Sequence, residues 1–286
     1  MVTIEKLLKD GTEIIKQRDY NNPLLDVQLI LCHLLHKDRV YIHLNRKEEV
    51  DDEIKSRFYE MVHKRNQGYP LQYMTNVQEF MGLEFFVQEG ILVPRPDTEI
   101  LVEKIINYVN KSNLEGRTLK ILDIGTGSGA IAVSLAYYLK NSLVTAIDVS
   151  ETAIKTAEIN IEKHNLKNIR TVKADVFENV FLDEKFDIVV SNPPYIKREI
   201  IKDLPVEVSQ YEPKLALDGG EDGLDFYRRI AEVFGRIHGE SAVLCVEIGH
   251  DQKQDVERIF KNLNIFKKIE KDNDLGGNDR VVTGFL

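Results

Sequence analysis

The sequence predicts an α/β fold: a mostly parallel sheet covered by helices on both faces, with an antiparallel C-terminal strand, and a small helical bundle ahead of it. Three observations predict it. From Thr98 onward, stretches with helical spacing alternate with short apolar runs, the pattern of successive strand, helix, strand units. The last two runs, near residues 266–271 and 280–286, are joined only by the turn-rich Asp274-Leu275-Gly276-Gly277-Asn278, which leaves room for a hairpin but for no helix. Before residue 75 the longer apolar patterns have helical spacing.

Taken in order, Ile4, Leu7, Leu8, Ile14 and Ile15 fall on one helical face, interrupted by Gly11. Pro23 stands at a first-turn position before the apolar stretch from Leu24 to Leu35, where its missing N–H costs nothing. After the short run from Val40 to Leu44, Asp51 and Asp52 offer a cap and an early-turn acid to a helix carrying Ile54, Phe58, Met61 and Val62. Residues 1–74 therefore read as a helical domain, with the exit beginning at Gly68. Residues 75–93 read as a linker with a β-hairpin, Phe80 to Val87, turning near Gly82. The larger domain, 94–286, then runs as a helix to about 110, a strand at 120–124, a helix from Ala130, a strand at 144–148 and a helix from Glu151. Strands at 169–173 and 186–190, a helix from Gly223, a strand at 242–248, a helix at 252–263 and the final hairpin complete it.

With 286 residues, 43% apolar and 30% charged, the chain has ordinary globular composition and enough length for one large and one small domain. No apolar run approaches a membrane span, and the first thirty residues lack a basic start followed by an apolar stretch. Cys32 and Cys245 lie far apart and outside any paired metal spacing, as suits a reducing compartment. Cys32-His33-x-x-His36 sits within an apolar helical pattern and reads as structural. A cytoplasmic protein is expected. The net charge of −9 arises wholly after residue 75, because residues 1–75 hold 12 basic and 12 acidic side chains. Lys55, Arg57, Lys64 and Arg65 form the compact basic group of the small domain, balanced by its acids. Without a basic stripe to neutralise phosphates, no direct nucleic-acid binding is expected, and a protein or small-molecule partner is.

Asn192-Pro193-Pro194-Tyr195 follows the apolar run of residues 186–190 and so should stand at the C-terminal end of a strand, where open α/β sheets bind ligands. The two prolines fix φ and remove two N–H donors. The Pro193 carbonyl and the Asn192 side-chain amide are thereby left to accept hydrogen bonds from a planar –NH2 group, and Tyr195 can lie against its flat face.

Asp123-Ile124-Gly125-Thr126-Gly127-Ser128-Gly129-Ala130 leaves another strand and enters a helix, its glycines allowing a tight turn and close approach of a ligand. Gly125, Gly127 and Ala130, with Asp148 downstream, also fit a dinucleotide fingerprint, so a nicotinamide enzyme stays open on spacing alone. No Lys-Ser/Thr pair follows, which excludes a P-loop. Asp123 just before the first glycine suits a cationic ligand better than a pyrophosphate, which it would repel.

The glycine-rich segment resembles that of class I S-adenosylmethionine-dependent methyltransferases, whose fold is Rossmann-like. The resemblance implies that Asp123, Gly125, Thr126, Gly127, Ser128 and Gly129 line the S-adenosyl-L-methionine site, that Asp148 holds the ribose hydroxyls, and that Asp175 and Val176 stand beside the adenine. Relatives often carry a larger residue than Val176, so that contact is expected to be either weaker or shared with Phe177. Asn192 to Tyr195 resembles the motif of enzymes that methylate the amino nitrogen of adenine, cytosine or glutamine, with Asn192, Pro193 and Tyr195 catalytic, Pro194 in the substrate wall and Asn192 also near the cofactor.

The whole chain resembles the peptide chain release factor glutamine methyltransferase family, PrmC or HemK. The likeness includes Pro94-Arg95-Pro96-Asp97-Thr98-Glu99, Tyr211-Glu212-Pro213, Ala216-Leu217-Asp218-Gly219-Gly220 and the segment from Asp274 to Arg280. It implies methylation of the N5 nitrogen of the glutamine in a Gly-Gly-Gln loop of class 1 release factors, docked by the helical domain. Arg95 and Glu99 fit either a site-closing role or a helix cap. A DNA or RNA adenine-N6 methyltransferase is the alternative, because a flipped adenine presents the same –NH2.

Overall fold

The computed structural model describes residues 2–18, 21–112, 117–178 and 184–286, which form two compact units. The first comprises the chain up to Val77 together with Pro205–Tyr211. Its elements are β1 (Val2–Thr3), α1 (Ile4–Ile14), α2 (Pro23–Leu35), α3 (Arg39–Leu44), β2 (Glu49–Val50), α4 (Asp52–Asn66) and α5 (Leu71–Thr75). Side-chain oxygens of Thr3, Asn22, Asp38 and Asp51 cap the first four helices by accepting from N–H groups of their opening turns. Ile4, Leu7, Val27, Ile30, Leu31, Phe58 and Val62 make the core. Gly11, which interrupts the apolar pattern, is where α1 lies close against α2 and α4: a Cβ there would stand 2.8 Å from Phe58 and 2.9 Å from Val27. Buried Arg65 of α4 donates to Asp26 of α2 at 2.7 Å and to Glu207 at 3.0 Å, so an ion triad ties the Pro205–Tyr211 segment into this unit.

The second unit, Gln78–Leu204 with Glu212–Leu286, carries all but the first residue of the hairpin of β3 (Val77–Phe80) and β4 (Leu83–Phe86). Met81 and Gly82 both have positive φ, 53° and 68°, the two-residue turn that matches strand twist. Phe80, Leu83 and Phe85 enter the main core, so the hairpin is anchored rather than a loose tether. There follow α6 (Glu99–Lys111), β5 (Leu119–Ile124), α7 (Ala130–Tyr138), β6 (Ser142–Asp148), α8 (Glu151–Lys163), β7 (Ile169–Lys173) and β8 (Phe186–Ser191). The chain then visits the first unit as α9 (Val206–Tyr211) and returns through α10 (Asp225–Ile237), β9 (His238–Glu247), α11 (Lys253–Asn262), β10 (Lys268–Asn273) and β11 (Asp279–Phe285).

Among the described residues these strands form a seven-stranded sheet ordered β10-β11-β9-β8-β5-β6-β7, in which β11 is antiparallel to both neighbours. The α/β fold read from the sequence is thus the one observed. Its central strands β5 and β8 are largely apolar and buried because both faces are covered, whereas the edge strands β7 and β10 carry more polar side chains. In β5, Ile121 packs into one core with the hairpin and α7, while Leu122 and Ile124 pack into the other with α10 and α11. β9 begins at His238, ahead of the expected 242, because its first residues, such as Glu240 and Ser241, are polar and exposed and give no apolar signal. Among the described residues no helix is long and apolar enough to cross a membrane.

Candidate active site

The strand order reverses between β5 and β8, the place where an open sheet leaves a crevice between diverging loops. Ile124 is in register with Ser191, and the Ser191 hydroxyl donates to the Ile124 carbonyl at 2.7 Å. The glycine turn after β5 and Asn192 after β8 therefore leave the same sheet edge side by side. A cavity of about 310 Å³ opens there, lined by Gly125 to Ser128, Asp148, Asp175 to Phe177 and Asn192 to Pro194. Pro94, Arg95, Leu215 and Phe226 also contribute to its wall.

Gly125, Gly127 and Gly129 have φ of 75°, 56° and 83°, a left-handed series that side chains resist. Gly127 N–H donates to Asp148 Oδ2 at 3.0 Å, while Asp148 Oδ1 accepts from Ser150 N–H at 2.9 Å. Burial raises the Asp148 carboxyl above its usual range against those N–H bonds, and each oxygen retains capacity for a further donor. Asp123 lies fully buried behind the cavity wall, accepting from Thr126 Oγ1 at 2.7 Å through Oδ2. Its Oδ1 has no hydrogen-bond partner among the described residues. Burial, opposed by the Thr126 hydrogen bond, pushes this carboxyl up to about 7, so near neutral pH it is only partly ionised. Asp175 and buried Val176 meet the cavity with half-exposed Phe177, whose ring packs edge-on against Phe226 at 5.1 Å. Gly129 helps to shape the turn from behind.

Asn192, Pro193 and Pro194 face the cavity, and Tyr195 sits behind them. The Tyr195 hydroxyl donates to Glu247 Oε1 at 3.3 Å, and its carbonyl accepts from Gln252 Nε2 at 2.9 Å. Burial first, then the Glu247 charge, raises the Tyr195 phenol well above its ordinary value. Glu247 is itself 1% exposed, and burial pushes it up to about 7 although Thr98, Arg280 and Tyr195 all favour its ionised form. Arg95 lines the cavity and pairs at 2.6 Å with buried Glu212 of the Tyr211-Glu212-Pro213 stretch. Glu99 faces elsewhere: it accepts from the Met81 N–H at 2.6 Å and holds the hairpin turn.

Two residues that sequence reasoning did not single out, Glu247 and Asn160, support this site from behind, and Thr98, quoted in the sequence only as part of the Pro94 to Glu99 stretch, lines the cavity itself. Glu247 had a signal, being an ionisable residue at the end of a strand otherwise apolar from Ala242. Asn160 had one too, since it continues the buried face of α8 formed by Ala153, Thr156 and Ala157.

The likeness to known proteins divides along the same line as the units. The family described as PrmC N-terminal domain matches residues 6–75, and the one described as methyltransferase small domain matches residues 97–206. A protein of Clostridium acetobutylicum named release factor glutamine methyltransferase is 39% identical over 98% of this chain and 97% of its own length. Proteins of the same name from Clostridium botulinum and Geobacter sulfurreducens are 35% and 36% identical over 98% and 99% of this chain, and 98% and 96% of theirs. Among solved structures, a methyltransferase from Pyrococcus furiosus superposes with a TM-score of 0.52 at 20% identity, covering 72% of this chain and 89% of that one. A SAM-dependent methyltransferase from Agrobacterium tumefaciens gives 0.51 at 15% identity over 73% and 69%. These two likenesses concern the fold.

Proposed function

Since the chain belongs to the release factor glutamine methyltransferase family, we propose that it transfers a methyl group from S-adenosyl-L-methionine to the N5 side-chain nitrogen of the glutamine in the Gly-Gly-Gln motif of class 1 peptide chain release factors. The observation that carries this reading is the adjacency of Asn192 and the glycine turn on neighbouring strands, lining one cavity.

The residues present fit the cofactor. Asp148 has acceptor capacity for ribose hydroxyls, Asp175, Val176 and Phe177 offer a polar edge and an apolar face to an adenine, and the orphaned Asp123 oxygen suits a nearby cationic amine. S-adenosylmethionine supplies an electrophilic methyl group on a positively charged sulfur. The chain's own contribution is positional, because an amide nitrogen is a poor nucleophile whose lone pair is delocalised into its carbonyl. Asn192 Oδ1 and the Pro193 carbonyl accept the two amide N–H bonds. That turns the nitrogen lone pair toward the methyl donor and stabilises the loss of planarity as the new bond forms. The departing proton leaves late and passes to solvent water, from a nitrogen by then positively charged, and no strong base is required. Pro194 and Tyr195 hold this edge rigid.

The helical unit, with its balanced charge, is the docking module for the release factor. A cytoplasmic location follows from that substrate, and the acid excess of the larger unit argues against direct nucleic-acid binding. Incubation with S-adenosylmethionine and either a release factor or DNA and RNA, followed by mass spectrometry, tests the reading. One added methyl on the Gly-Gly-Gln glutamine is expected. Methylation of adenine alone would overturn it in favour of the nucleic-acid alternative.

A further inference from the structure

We propose that Thr98 and Glu247 form a directional relay that fixes which end of the Asn192 side-chain amide faces the cavity, making both of them positioning residues for methyl transfer. The proposal rests on the role for Asn192 argued above.

An asparagine amide is nearly symmetric in shape, so turning it over exchanges an acceptor for a donor at little steric cost. Only Oδ1 facing the cavity can accept from a target –NH2. A reversed Asn192 would present its own –NH2 to another donor. Asn192 Nδ2 donates to Thr98 Oγ1 at 3.1 Å, and Thr98 Oγ1 donates to Glu247 Oε2 at 2.6 Å. A threonine hydroxyl has one proton. Once that proton is given to the carboxylate, only lone pairs face Asn192, and these select the –NH2 end. Because an ionised carboxylate has no proton to give, the direction of the whole chain is set at Glu247. Both relay members are buried, so water offers little competition.

The same carboxylate holds the motif a second time, since its Oε1 accepts from Tyr195. The charged and titratable groups facing Glu247 come from every side: Tyr195 after β8, Arg280 on β11, Asp97 before α6, and Tyr227 on α10. Arg280 is shared with Asp274 at 2.9 Å and Asp97 at 3.3 Å. Burial outweighs these favourable partners and leaves the carboxyl near neutrality, at about 7. A protonated Glu247 could donate to Thr98, freeing the hydroxyl to donate to Asn192 Oδ1, and the amide would lose its fixed sense. The relay's polarity is therefore lost as pH falls through this range.

The test compares Thr98→Val, Thr98→Ser, Glu247→Gln and Asn192→Ala in the full chain, with release factor and S-adenosylmethionine. Thr98→Val and Glu247→Gln should lower kcat roughly ten- to a hundredfold while KM and cofactor Kd stay within about threefold. Thr98→Ser should recover most of the rate lost in Thr98→Val. The double variant should be no slower than the slower single, because both act through one relay. Wild-type kcat should fall below about pH 7, and that limb should vanish in Glu247→Gln. In the 15N-labelled apo protein, the Asn192 side-chain resonances, assigned by their loss in Asn192→Ala, should shift in Thr98→Val but not in Thr98→Ser. Thr98→Val is nearly isosteric and keeps the test decisive should Glu247→Gln fold poorly. An inactive Asn192→Ala beside a Thr98→Val with wild-type kcat and unmoved Asn192 resonances overturns the relay alone. An Asn192→Ala that turns over normally overturns the role of Asn192 itself.

Discussion

Asn160 treats Phe86 as a neighbouring strand would. Its Oδ1 accepts from the Phe86 N–H at 2.7 Å, and its Nδ2 donates to the Phe86 carbonyl at 2.9 Å. The same Nδ2 donates to the Ser128 carbonyl at 2.8 Å, so one fully buried side chain joins the hairpin to the glycine turn. Asn160→Ala strands three backbone groups away from water and should destabilise the protein by about 2–4 kcal/mol. Urea unfolding measures this, and the loosened glycine turn should weaken cofactor binding in parallel.

Asp148→Ala should weaken S-adenosylmethionine binding by roughly 1.5–3 kcal/mol, the scale of hydrogen bonds to a charged acceptor. Calorimetric titration checks it. Unchanged affinity would mean that the ribose is held elsewhere.

Cofactor affinity should depend on pH through Asp123. Its carboxyl is held at about 7 in the folded chain, against an ordinary value of about 4. Between those values the native state binds a proton that the unfolded state has released, so apo stability declines as pH rises through this window and levels off above it. Glu247 contributes with the same sign. A cationic amine near Asp123 favours the ionised form, so binding below pH 7 should expel a proton and affinity should strengthen up to about pH 8. Titrations in two buffers of different ionisation heat reveal the proton, and Asp123→Asn should abolish it.

Arg65→Met should destabilise the helical unit by about 3–5 kcal/mol, because it leaves the Asp26 carboxylate buried without its cation. Adding Asp26→Leu should recover most of the loss. A chemical unfolding transition of the double variant that stays as low as that of Arg65→Met would show the pair to be unimportant.

The division between sequence and structure follows the range of the interactions involved. Periodicity and caps are local, and so the helices opening at Ile4, Pro23 and Asp52, and the strands from Leu119 to Ser191, were legible. So were the glycine turn and Asn192 to Tyr195, because backbone conformation at Gly127 or Pro193 is dictated by the residue itself. The five-residue α5 is too short to show a helical period, the opening of β9 is polar, and both were missed. So was the attachment of Pro205–Tyr211 to the first unit, which depends on Arg65 meeting a carboxylate 142 residues away.

By itself, then, the sequence determined the alternation of elements, the two ligand-facing turns and the family. Only the tertiary structure decided what supports them: that β5 and β8 are neighbours, that Asp123 keeps an oxygen without a partner among the described residues, and that Asn192 leans on Thr98 and through it on Glu247. Hydrogen bonds and burial between residues distant in the chain leave no spacing to read. A buried carboxylate acquires its meaning only from the groups that folding brings within about 3 Å of it.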